Sequence, residues 1–117
     1  MKVLYIIAQS PYATVAGLEA LDATMIGASF DAEVSVLFLH DGVYQLRSKQ
    51  QGQVGRFKQV TKTFAALPDF DVENVCVHQA SLFARGLNED SLLMPVKVVN
   101  DGQIASMIAE QDRVFTF

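Results

Sequence analysis

Short apolar segments alternate along the chain with longer segments in which apolar residues recur every three or four positions. The short segments consist mostly of Val, Ile, Leu and Phe, and continuous apolar runs of this kind are typical of strands buried on both faces of a sheet. Pro95 interrupts the fourth of them, which predicts a strand that is short or lies at an edge. We expect five strands, within residues 2–9, 33–39, 72–78, 92–99 and 113–117.

The longer segments predict helices, because their apolar residues fall on one helical face. This spacing is found within residues 15–28, 54–67 and 104–108, and a shorter helix is expected after the third strand, within residues 79–86. Strands and helices alternate throughout, which predicts a single domain spanning residues 1–117. The expected architecture is a flavodoxin-like, three-layer α/β/α fold with a mostly parallel five-stranded sheet and helices on both faces.

Composition and charge exclude several classes of function. Half of the 117 residues are hydrophobic and 19% are charged, which is typical of a globular domain rather than a disordered chain. No apolar run approaches the roughly 18 residues of a membrane span. The net charge is −4 with no basic cluster, so direct binding to nucleic acid is not expected. The single cysteine and the absence of an export signal predict a cytoplasmic protein.

The third predicted strand contains the only cysteine, Cys76, and one of the two histidines, His78. Side chains alternate along a strand, so Cys76 and His78 point to the same face, close to the end where parallel sheets collect their chemistry. A persulfide carrier needs a thiolate, and the following helix or Arg85 would have to lower the thiol pKa. The alternative is an inert thiol in the core. His78 is either an acid, a base or a hydrogen-bonding anchor, or a residue that caps the next helix or fills an interface.

His40 and Asp41 follow the second predicted strand and could meet Cys76 and His78 at the same edge of the sheet. They would then complete a Cys/His/Asp set, whereas the alternative is a simple turn formed by Asp41 and Gly42. The sequence has no CxxC or HxxxH pair, so we expect no metal. Residues 10–17 have neither a GxGxxG nor a GxxxxGK[ST] pattern, and no nucleotide, flavin or other cofactor is expected.

Several apolar residues fall in predicted loops or short turns near strand ends. Such residues either form a protein interface or cover the core of their own chain, and the sequence leaves both interpretations open. The interface candidates are Tyr12, Val43, Tyr44, Leu46 and Phe83.

Three segments of the chain resemble one protein family. They are the opening strand of residues 2–9, the turn HDGVYQL of residues 40–46, and the run CVHQASLFARGL of residues 76–87. Together they resemble the DsrE/DsrF-type sulfur-relay proteins, in particular their DsrF-like, TusC-type subunits. The resemblance extends over nearly the whole chain, and its most specific parts are DGVYQL and ASLxxRGL.

The resemblance implies an α/β fold and a place in a complex with TusB-like and TusD-like subunits, arranged as a dimer of heterotrimers. It also implies transient contact with a TusA-like donor and a TusE-like acceptor, which pass persulfide sulfur toward 2-thiouridine at the wobble position of tRNA. In the family the active cysteine belongs to the TusD-type subunit, eight residues before the glycine that closes the short helix. In this chain the corresponding residue is His78, counted back from Gly86.

Our first hypothesis is therefore a non-catalytic subunit of a sulfur-relay complex, with no activity expected of the subunit alone. The first alternative is an active persulfide carrier that uses Cys76, supported by His78 or Arg85. Further alternatives are a DsrEFH-type subunit in sulfur oxidation and a flavodoxin-like module that binds a small ligand. Whether an isolated copy forms a homo-oligomer stays open at this stage.

Overall fold

The computed structural model describes residues 1–9, 33–47, 67, 72, 74–92 and 94–117. Within these residues five strands form one sheet in which every neighbouring pair is parallel, in the order β4-β3-β2-β1-β5. The helices expected within residues 15–28 and 54–67 lie outside the described residues, apart from Leu67, which is buried. The strands are β1 (Lys2–Ile7), β2 (Glu33–Phe38), β3 (Asn74–His78), β4 (Lys97–Val99) and β5 (Arg113–Thr116).

The alternation of side chains gives the sheet two apolar faces, as the sequence predicted for strands covered on both sides. One face, called the first face, includes Val36 and Val77 and packs against Leu82 from helix α1 (Gln79–Ala84). The opposite second face packs against helix α2 (Asp101–Glu110) and comprises Leu4, Ile6, Leu37, Cys76 and Val99. The predicted α/β fold with helices on both faces is confirmed.

Glycine at position 42 lets the chain turn tightly at the end of β2. The predicted turn is a 3-10 helix, His40–Leu46, and its Gly42 lies against the end of β1. A Cβ atom at this position would meet the carbonyl oxygen of Ile7 at 1.8 Å. The close approach buries Val43 and Leu46 completely, so the 3-10 helix is anchored in the core.

Helix α1 begins directly at the tip of β3 and ends after six residues. Gly86 has a φ of +66°, and its N–H donates to the carbonyl of Phe83 while the N–H of Leu87 donates to the carbonyl of Leu82. These two bonds form a Schellman motif, which satisfies carbonyls at a helix end and favours glycine at the left-handed position. The motif fixes the length of α1 and directs the chain toward β4.

The last two strands occupy opposite edges of the sheet. Strand β4 is short, as Pro95 predicted, and the expected start of this strand at Leu92 is instead an isolated bridge to Arg47. Among the described strands β5 pairs with β1 alone, and the N–H of Phe117 continues the pairing by donating to the carbonyl of Ile6. The C-terminal strand is thus held in the sheet, as expected.

None of the helices in the described ranges has the length and apolarity that crossing a membrane requires.

Candidate functional site

Six polar side chains meet at the carboxyl ends of the strands, where four elements converge. The 3-10 helix at the end of β2 supplies two of them, the tip of β3 supplies one, and helices α1 and α2 with their ends supply three. This edge is the usual location of chemistry in open parallel sheets. We call these residues the strand-end cluster: His40, Asp41, His78, Ser81, Arg85 and Asp101.

His78 is the centre of the strand-end cluster. Its Nδ1 lies 2.7 Å from Oγ of Ser81, and its Nε2 lies 2.6 Å from Oδ1 of Asp101. A carboxylate accepts but does not donate, so the neutral imidazole places its proton on Nε2 and accepts the Ser81 hydroxyl at Nδ1. The Ser81 oxygen in turn accepts the backbone N–H of His40 at 2.9 Å. One chain of hydrogen bonds therefore joins α2, β3, α1 and the 3-10 helix.

Arg85 connects the end of α1 to the 3-10 helix. Its Nε and Nη2 lie 3.0 and 2.9 Å from Oδ1 of Asp41, and its Nη1 donates to the carbonyl of Ser81 at 3.2 Å. Because both charged side chains are partly exposed, the pair contributes only about 1 kcal/mol or less to folding. Its effect is mainly to fix the position of the Arg85 side chain.

His40 is the more exposed of the two histidines in the cluster. Its ring centroid lies 6.5 Å from that of His78, with the two planes at 87°. His40 has a φ of +52°, a left-handed conformation that is uncommon for a residue with a side chain. Such conformations persist where the surrounding structure fixes them, here through the bond from the His40 N–H to Ser81.

Ser81, His78 and Asp101 have the composition of a hydrolytic triad, but their arrangement does not support nucleophilic catalysis. Ser81 is only 3% exposed, and its oxygen already accepts a backbone N–H. A nucleophilic serine needs an oxygen that a substrate carbonyl can reach. We therefore interpret the three residues as a hydrogen-bond network that holds the tip of β3.

Cys76 lies apart from the cluster, among the core side chains of the second face. The residue is 2% exposed, and burial raises the pKa of its thiol, an effect that the neighbouring Lys97 ammonium opposes only in part. That Arg85 supports Cys76 stays a prediction. Arg85 is bound to Asp41 and Ser81, whereas the cation that acts on the thiol is Lys97, which pairs with Cys76 across the β3–β4 register.

Cys76 lines a cleft on the second face that extends to the amino ends of the strands. This cleft has a volume of about 450 Å³ and is also lined by Lys2, Glu33 and Asn74, which lie at or near the amino ends of their strands. Lys97 donates to the side chain of Asn74 there, at 3.0 Å.

The interface candidates differ in how far their side chains are exposed to solvent. Val43 and Leu46 are fully buried in the core of their own chain, so these two are not available to a partner. Tyr44 is half-buried, with the guanidinium of Arg47 5.1 Å from its ring centroid. Phe83 projects from α1 and is 87% exposed. Tyr12 lies outside the described residues.

Sequence analysis identified four of the six residues of the strand-end cluster and missed Ser81 and Asp101. Ser81 follows His78 by three residues, a spacing that returns to the same side of a helical turn. Asp101 comes two residues after Val99, which pairs with His78 in the sheet. Only the register between β3 and β4 brings Asp101 to the imidazole. In the described segments no three His, Cys, Asp or Glu residues are grouped so that they could hold a metal ion.

Comparisons with known proteins agree with the fold and with the family suggested by the sequence. The chain is 35% identical to the intracellular sulfur oxidation protein DsrF of Allochromatium vinosum, over 99% of this chain and 96% of that protein. It is 36% identical to a TusC homolog of Pseudomonas aeruginosa and 31% identical to one of Vibrio vulnificus. Those two matches cover 98% and 99% of this chain, and 97% and 98% of the respective homologs.

Two solved structures share the fold. The crystal structure of the E. coli YchN protein covers 100% of both chains with a TM-score of 0.78 at 20% identity. A protein of unknown function from Methanobacterium thermoautotrophicum covers 99% of this chain and 98% of its own, with a TM-score of 0.69 at 18% identity. The model of the DsrE/DsrF-like family matches residues 1–117, the whole of this chain. The protein therefore belongs to the DsrE/DsrF-like family.

Proposed function

We propose that the chain is a non-catalytic subunit of a TusBCD-type complex that passes persulfide sulfur toward 2-thiouridine in tRNA. Its relatives in Pseudomonas aeruginosa and Vibrio vulnificus are named TusC homologs, which supports this assignment. The proposal includes TusB-like and TusD-like subunits as stable partners in a heterohexamer. It also includes TusA-like and TusE-like carriers as transient partners, and a cytoplasmic location.

The proposal rests mainly on the pairing of both His78 ring nitrogens at the position where the family's active subunit has a cysteine. His78 binds Ser81 and Asp101 and leaves no thiol at the tip of β3. The chain's own cysteine lies in the core with a raised pKa, and a persulfide carrier needs an accessible thiolate. These observations favour a supporting role over sulfur transfer by this subunit.

A second candidate is the corresponding subunit of a DsrEFH-type complex in sulfur oxidation. The relative in Allochromatium vinosum, named as a sulfur oxidation protein, favours it at a similar identity. The two candidates share the same subunit role and differ in the pathway that receives the sulfur. Deleting the gene for this chain separates them: loss of 2-thiouridine from tRNA supports the first candidate, and unchanged tRNA with impaired sulfur oxidation supports the second.

The subunit role is tested by co-expression and by persulfide loading. Co-expressed with the TusB-like and TusD-like chains of its own source, this chain should elute in one stable complex, and separate elution of all three chains at micromolar concentration contradicts the proposal. After incubation with a persulfide donor, the intact mass of this chain should stay unchanged. An added sulfur that disappears in Cys76→Ser would instead support the carrier alternative.

A further inference from the structure

A groove beside α1 combines an exposed aromatic ring with two exposed acidic side chains. Phe83 is 87% exposed. Most of the apolar surface of its ring is therefore in contact with water, which is energetically unfavourable. A cavity of about 540 Å³ adjoins it and is lined by Leu82, Leu87 and Val98 as well. We call this cavity, together with Phe83, the Phe83 groove.

The floor of the Phe83 groove is continuous with the main core. Leu82 is a member of the first-face cluster, and Leu87 and Val98 pack against that cluster while remaining partly exposed. Strand β4, which contains Val98, is at the edge of the sheet, so no further strand lies beyond it in the described structure. An apolar side chain placed in the groove would therefore extend the core that Leu82 already belongs to.

The rim of the groove is acidic. Glu89 and Asp90 line it, both are exposed, and neither carboxylate has an ion-pair partner among the described residues. No Lys or Arg is among the described residues that line the groove. A second cavity of about 410 Å³ shares Glu89 and Asp90 and continues past Met94 and Pro95, so the acidic rim lies between two apolar depressions.

We propose that the Phe83 groove is a docking surface for an apolar segment with a Lys or Arg side chain, presented by another subunit of the relay complex. The inference rests on the proposed function and adds the surface and the chemistry of the partner. The apolar part of the segment covers Phe83 and the margin of the core, and the cation pairs with Glu89 and Asp90. Aromatic residues at the centre of an interface dominate its binding free energy, while charges at the rim set orientation and association rate.

The test uses the complex formed with the TusB-like and TusD-like chains, and it compares matched variants. Phe83→Ser removes the exposed ring and is expected to weaken assembly about thirtyfold, as truncation of a central aromatic residue typically does. Ile108→Ser is the matched control, because Ile108 is 42% exposed on α2 and does not line the groove. This control should assemble like the unchanged chain.

The charge of the rim is tested separately. The pair Glu89→Gln/Asp90→Asn should slow association and reduce its dependence on salt, because rim charges act mainly through electrostatic steering. The control pair Glu33→Gln/Glu110→Gln removes two exposed carboxylates that line the cleft of the second face instead. Association of the control should keep its rate and its salt dependence.

The outcomes distinguish this inference from the proposed function. If the unchanged chain forms no complex with the TusB-like and TusD-like chains, the proposed function itself is contradicted. If the unchanged chain assembles and Phe83→Ser assembles equally tightly, only the docking surface is overturned. Weakening by Ile108→Ser to the same degree as Phe83→Ser, or an association rate insensitive to Glu89→Gln/Asp90→Asn, would also overturn it. Selective loss with both groove variants supports it.

Discussion

Nδ1 of His78 lies 2.7 Å from Oγ of Ser81, across the junction where β3 becomes α1. The same serine accepts the backbone N–H of His40, so one buried hydroxyl connects the ends of two neighbouring strands. Both nitrogens of the His78 ring are bound within the chain, because Asp101 accepts at Nε2. Side chains of the same chain therefore occupy both hydrogen-bonding positions of the His78 ring.

The variant Ser81→Ala should lower the free energy of unfolding by about 1–3 kcal/mol, because it leaves the His40 N–H and the His78 Nδ1 without their partner. Urea denaturation of the unchanged chain and the variant measures this difference. Asp101→Asn is the control at the other ring nitrogen. Asp101 is 88% exposed, so that variant should cost less than about 1 kcal/mol. Equal effects of the two variants would contradict the central role of Ser81.

The variant His78→Cys should give a thiol that reacts faster with a thiol reagent than Cys76 does. The side chain of His78 is 12% exposed at the end of the strand, whereas Cys76 is 2% exposed and burial raises the pKa of its thiol. Both effects slow the reaction of Cys76, since the thiolate is the reactive form. The rate is measured for His78→Cys in a Cys76→Ala background and compared with the unchanged chain. Equal, slow labelling would show that the tip of β3 is occluded.

The Cys76 thiol should make the chain less stable at alkaline pH. Burial raises its pKa in the folded state above the ordinary value of 9.0, so the unfolded chain releases this proton at a lower pH. The contribution to stability is then fully present below about pH 9 and is lost as the pH rises through the folded pKa.

The contribution of Cys76 is measured by comparing the unchanged chain with Cys76→Ala between pH 7 and pH 11. The decline in the free energy of unfolding should begin near pH 9 in the unchanged chain and be smaller in the variant. Burial also raises the pKa of Tyr5 above 10.0, which adds a decline of the same sign that both proteins share. Identical pH profiles would contradict the raised pKa of Cys76.

The variant Gly42→Ala should destabilise the fold by at least roughly 1–3 kcal/mol, the usual cost of overpacking a core. The added Cβ would lie 1.8 Å from the carbonyl oxygen of Ile7, and a backbone atom inside the sheet cannot move aside as a side chain can. Gly102→Ala is the control, because its Cβ would meet only the side-chain oxygen of Asn100, at 3.4 Å. The control should leave stability unchanged or raise it slightly, and thermal or urea unfolding measures both.

The sequence predicted the sheet well because most of its strands are continuous apolar runs, and such runs have few alternatives in a parallel α/β fold. Pro95 correctly predicted a short strand at the edge of the sheet, and Gly86 correctly predicted where α1 ends. The start of β4 was predicted too early, at Leu92 instead of Lys97. Apolar composition alone does not separate the bridge formed by Leu92 from the strand that follows Pro95.

The candidate site was predictable only in part, because its geometry depends on contacts between residues far apart in the chain. His78 and Arg85 could be singled out by their position after a strand, but the partner of Arg85 is Asp41, 44 residues away. The cation beside Cys76 is Lys97, which the β3–β4 register brings there. A sequence pattern gives residue types and local spacing, whereas these pairings follow from the order of strands in the sheet.

Strand β1 pairs on one side with β2 and on the other with β5, whose first residue is Arg113. A ribosome therefore releases β1 roughly 5–20 seconds before the strand that completes its second edge. During this interval the nascent chain exposes an unpaired edge of β1 beside apolar side chains such as Tyr5. The arrangement makes early folding of this chain sensitive to whatever occupies that edge first, whether a chaperone or another newly made copy.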